Sequence, residues 1–139
     1  MVKFSGFDMS PKEDNLKRVA ITVPGAPKPI APFSPAIKTE GMVFVSGQLP
    51  IDQSGAMPEG ITAQTEQCLE NMKALMAAAG VGMDRIVKCT VFITNMDDFS
   101  KMNEVYAKYF PNTPPARSAV EVSRLARGAM VEIEAIAVI

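Results

Sequence analysis

Histidine is absent from all 139 residues. That gap removes the commonest general base, the Ser-His and Cys-His nucleophile systems, and most zinc sites. Any catalysis must run on carboxylates, arginine, lysine, tyrosine, hydroxyls, water and backbone amides. Cysteine is scarce: Cys68 and Cys89 stand far apart and form no CxxC pair. The pattern argues against a disulfide scaffold and for a reducing, cytoplasmic setting. A surplus of charge is missing as well. The formal net charge is −1, so no global field recruits nucleic acid or an acidic membrane. No apolar run approaches the roughly 20 residues of a membrane helix. The opening stretch, MVKFSGFDMSPKEDN, lacks the apolar centre of a signal peptide, and Asp8, Glu13 and Asp14 argue against a transit peptide. No internal repeat is evident.

What remains is an ordinary globular composition, 47% hydrophobic and 21% charged, in a chain long enough for one domain with its own core. Residues 1–17 read as an N-terminal extension and residues 18–139 as a single domain. The stretch from Leu16 to Val23 suits an edge strand. The prolines between Pro24 and Pro35 exclude a helix or central strand and predict an extended, irregular segment over a surface or cleft. A β-branched and aromatic strand is expected over Gly41–Pro50, followed by a turn-rich connection. From Thr62 to Ala79 the apolar residues Cys68, Leu69, Met72, Leu75, Met76 and Ala79 fall on one helical face, and Gly80 supplies a stop.

Residues Arg85–Asn95 read as a strand, with Ile86, Lys88 and Thr90 alternating against Val87, Cys89 and Val91. Asn95 or Asp97 can cap a second helix that carries Phe99, Met102, Tyr106 and Tyr109 on one face and stops at Pro111. Two more strands follow, Ala116–Ser123 and Ala129–Ile139. The order β-β-α-β-α-β-β predicts an α+β fold with two helices packed on one face of a mixed sheet.

The segment PPARSAVEVSRL places Arg117, always charged, at the mouth of a strand. With so few residues separating the last two strands, a hairpin is expected. In the chosen register Arg117 faces Glu134, Ala119 faces Glu132, and Glu121 faces Met130. Arg117, Ala119, Glu132 and Glu134 would then share one side of the sheet. Two accounts of Arg117 follow from the residues: a structural bridge to Glu134, or a clamp for an anion brought by a ligand.

SGQLP at 46–50, AQTEQCLENMKALMAAAG at 63–80, VKCTVFITNMDDFSKMNEVYAKYF at 87–110, and PPARSAVEVSRL with the terminal VEIEAIAVI together resemble the RidA (YjgF/YER) family. The resemblance runs from about residue 30 to the C-terminus. It implies a chorismate-mutase-like α+β fold and a homotrimer with three clefts between subunits. It also implies hydrolysis of 2-aminoacrylate-type enamines and their imine tautomers to 2-keto acids and ammonia, without metal or organic cofactor. Matched motif by motif, Arg117 of PARS would bind the substrate carboxylate, and Glu132 of EIEA would orient or activate water. Ser46, Gly47, Asn103 and the backbone at Ala119 would line the cleft.

In two places the chain departs from the family pattern. Phe33 stands where many family deaminases carry tyrosine, so it can pack against a substrate but cannot relay a proton. Ala119 replaces a common cysteine. Each residue also has a plainer role: Ser46 closing a strand, Asn103 capping or bridging within its helix, and Cys68 and Cys89 filling the core. Two other functions compete with the deaminase, a trimeric binding protein for small 2-keto or amino acids and, ranked last, an endoribonuclease.

Overall fold

The last strand of the chain sits in the middle of the sheet. The computed structural model describes residue 6 and residues 17–139. It contains strands β1 (Val19–Ile21), β2 (Ala36–Thr39), β3 (Met42–Gln48), β4 (Ile86–Ile93), β5 (Ala116–Glu121) and β6 (Val131–Val138), with helices α1 (Ile61–Ala78) and α2 (Phe99–Tyr109). The sheet order is β1-β2-β3-β6-β4-β5. Only β4 and β5 pair in parallel; the other neighbours are antiparallel. Apart from Gly6 and Lys17, the extension read over 1–17 lies outside the described residues, and so does Leu16 of the first expected strand.

Period explains the two layers. Along β6, Val131, Ile133, Ala135 and Ala137 are buried, while Glu132, Glu134 and Ile136 point to the opposite face. The buried set meets Cys89, Val91 and Ile93 of β4, and Val43 and Val45 of β3. Both helices cover that face. Helix α1 buries Cys68, Leu69, Met72, Leu75 and Met76, the stripe expected from its periodicity. It ends where Gly80 adopts φ +83°. Helix α2 buries Met102, Val105 and Tyr106. The side chain of Asn95 accepts from the Asp97 backbone N–H at 2.9 Å, so Asn95 rather than Asp97 caps the turn leading into α2.

Three local expectations are corrected. Strand β2 was unanticipated: Gly41 at φ +76° closes a tight turn that folds β2 onto β3. Ladder pairing along β4 slips between Ile86 and Lys88. Ile86 is therefore buried while Val87 is exposed, contrary to unbroken alternation. The predicted β5–β6 hairpin does not form, because β4 lies between those two strands. Helix α2 carries the chain from β4 to a parallel β5, a βαβ crossover. Residues 122–130 then pass over β4, and β6 pairs with its other edge.

Candidate active site

With β4 between them, the cross-strand pairs expected of Arg117 and Ala119 are replaced. Arg117 is level with Cys89 and Ala119 with Val91, which places both on the helix-covered side. Glu132 is level with Phe92 and Glu134 with Thr90, on the uncovered side. No Arg117–Glu134 bridge exists. The chemistry-bearing residues instead form two groups on opposite faces of one sheet.

The first group surrounds Arg117. Its Nη1 donates to Oδ1 of Asn103 at 2.8 Å, tying the edge strand β5 to α2. Its guanidinium carbon lies 4.8 Å from the Tyr106 ring centre and 5.4 Å from that of Phe99. Among the described residues no carboxylate pairs with it. Ala119 follows two positions along the same face, small enough to leave room beside the arginine. Asn103 thus bridges between elements rather than within its helix. The sequence places Phe99 and Tyr106 on one helical face without revealing their contact with Arg117. Their spacing from Asn103 on one helical stripe was the available signal.

The second group is built on a β-bulge. Val45 pairs with Ala135 and Gln48 with Ile133, so Ser46 and Gly47 together stand opposite Glu134 alone. The bulge brings Gly47 against Glu132: a methyl group at Gly47 would lie 2.7 Å from the Glu132 carboxyl carbon and from one of its oxygens. Glycine is what lets the carboxylate approach the backbone this closely. Partial burial raises the Glu132 pKa above its ordinary value, and the neighbouring Glu134 adds to the shift. The Ser46 hydroxyl donates to the Ser34 carbonyl at 2.6 Å and its N–H to that of Pro35 at 3.0 Å. Ser46 therefore anchors the proline-rich segment to the sheet. Phe33, half exposed, projects from that segment. Together with Gly47, Leu49, Ile51 and Leu75 it borders a groove of about 570 Å³.

Cys68 and Cys89 are free and buried, and burial pushes both thiols up. Neither is poised as a nucleophile. No helix among the described residues is long and apolar enough to cross a membrane.

Comparison with known proteins gives this geometry a context. Residues 24–139 match the family model described as Endoribonuclease L-PSP. A RutC family protein of Pyrococcus horikoshii is 52% identical over 124 residues, which cover 88% of this chain and 98% of the relative. The 2-iminobutanoate/2-iminopropanoate deaminase of Salmonella typhimurium is 44% identical over 122 residues, covering 85% and 95%. Among solved structures, TdcF of E. coli with bound serine aligns with a TM-score of 0.82 at 42% identity, covering 86% of this chain and 98% of that one. The six-stranded mixed sheet of this chain, with two helices on one face, is the chorismate-mutase-like fold, and the chain belongs to the RidA (YjgF/L-PSP) family.

Proposed function

We propose that the protein is a hydrolytic deaminase of small reactive enamines and imines of the 2-aminoacrylate/2-iminopropanoate type, releasing a 2-keto acid and ammonia. The observation that carries this reading is the state of Arg117. It is held by an amide oxygen and two aromatic rings, and its charge is left uncancelled. A planar guanidinium in that state suits a substrate carboxylate, which it can grip with two parallel charge-assisted hydrogen bonds. Glu132 takes the second role. Its raised pKa suits a base that accepts a proton from water as the water attacks the C=N carbon, and returns it to the departing nitrogen. One water is consumed; the C=N bond gives way to C=O, and nitrogen leaves as ammonia. The close relation to a 2-iminobutanoate/2-iminopropanoate deaminase supports the reaction class.

Arg117 and Glu132 point away from opposite faces of the sheet, so one chain cannot close both around a small molecule. Two copies can. The reading therefore includes a homotrimer whose clefts join Arg117, Asn103 and Ala119 of one subunit to Glu132, Ser46, Gly47 and Phe33 of the partner. Apolar side chains on the uncovered face support such packing: Phe44, Val120 and Val138 are each more than a third exposed.

The test is release of ammonia and pyruvate from freshly generated 2-aminoacrylate by wild type, Arg117→Ala and Glu132→Gln. Acceleration by wild type, lost in both variants with assembly intact, is the expected result. A non-catalytic binding protein is the second reading, favoured by Phe33, which lacks a proton-relaying hydroxyl, and by the serine bound to TdcF. Retained 2-keto acid binding through Arg117 without acceleration would establish it instead.

A further inference from the structure

We propose that Phe99 and Tyr106 are positioning residues for Arg117, two ring faces of α2 that hold the guanidinium without neutralising it and so keep its charge available to a substrate carboxylate. This inference rests on the deaminase reading. A strand arginine can be fixed in two ways. A carboxylate partner fixes it and cancels its charge, which competes with any incoming anion. Aromatic faces fix it through the ring quadrupole and contribute no formal charge. This chain takes the second course.

Residues 99, 103 and 106 lie on one stripe of α2, and all three meet Arg117. Both ring centres fall within the roughly 6 Å over which a cation and an aromatic face attract. Asn103 takes one of the five N–H donors, setting the plane of the guanidinium and leaving the others for a ligand.

The rings are themselves held. Tyr106 is only 6% exposed and packs against Phe110, with ring centres 4.7 Å apart and planes tilted by 43°. Phe99 packs against the edge of the core. The Tyr106 hydroxyl is buried on the core side, beside the Cys89 thiol. Its polar end makes no hydrogen bond to Arg117, so the ring face is the part that meets the guanidinium.

The experiment measures pyruvate binding by calorimetry, together with KM and kcat for the imine, in Phe99→Leu, Tyr106→Leu, Tyr106→Phe and Arg117→Ala. Loss of either ring should raise the pyruvate Kd and KM about three- to tenfold, with kcat little changed. Tyr106→Phe, which keeps the ring, should match wild type. In an Arg117→Ala background the ring substitutions should have no further effect. Wild-type binding by folded Phe99→Leu and Tyr106→Leu, alongside binding lost in Arg117→Ala, would overturn the cradle and leave the deaminase reading standing. If Arg117→Ala binds pyruvate as wild type does, the clamp itself falls and the cradle with it. Should Tyr106→Leu fail to fold, Phe99→Leu, at the partly exposed end of the stripe, decides alone.

Discussion

Gly47 packs so closely on Glu132 that a Cβ there would displace the carboxylate, and each residue predicts a measurement. An added Cβ at Gly47 would meet the end of a flexible side chain rather than backbone. Gly47→Ala should therefore displace the Glu132 carboxylate and leave the fold intact. Turnover should fall by tenfold or more, on the order of the cost of a misplaced catalytic group, with little change in melting temperature. Steady-state kinetics beside a thermal melt checks both halves.

The raised pKa of Glu132 sets two pH effects. As a base it works ionised, so the acid limb of kcat/KM should lie above the ordinary carboxylate value of 4.5. Glu132→Gln should remove that limb and lower the rate about 10²- to 10⁴-fold. Stability runs the other way. A carboxyl whose folded pKa is raised stabilises the fold below its unfolded pKa, and that contribution is lost as pH rises through the folded value. Glu132→Gln should thus melt higher than wild type at neutral pH, and the gap should close below pH 4.5. Equal melting temperatures at neutral pH would contradict the assigned burial.

Among the elements, α1 carries the largest share of the core. Met72 is fully buried beneath the sheet, so Met72→Ala should cost about 2–5 kcal/mol, read as a lower urea midpoint. That helix was legible in the sequence because its packing partner does not matter to a 3.6-residue stripe. The Gly80 stop and the Asn95 cap are local signals of the same kind. Strand pairing is not local. Residues 124–127 read as a hairpin loop because nothing in them records that β4 already occupies the adjacent edge of β5. The error moved Arg117 and Glu132 onto one face when they lie on two. The two bulges, at Ile86–Lys88 and at Ser46–Gly47, also escape a strict period of two. One of them carries the candidate site, as bulges beside functional residues often do. Arg117 itself was legible as a charge needing a partner, but its neutral partners, Phe99 and Tyr106, appeared only with the packing of α2.

For the whole molecule, the proposed homotrimer would cover the open sheet face and complete the divided site. Phe44→Lys, on that face and 42% exposed in one chain, should place an unpaired charge in the interface. Sedimentation should show trimers giving way to smaller species, with turnover lost in parallel. Full activity in a monomeric variant would contradict the account.

The most direct test uses two inactive chains. Arg117→Ala and Glu132→Gln variants, unfolded together and refolded as mixed trimers, should regain turnover. A cleft that takes Arg117 from one chain and Glu132 from the other is whole again, and random mixing makes about a quarter of all clefts whole. Recovery near that level, absent when either variant is refolded alone, is the predicted result. Mixed trimers that form and stay inactive would contradict the claim that the site is shared between subunits.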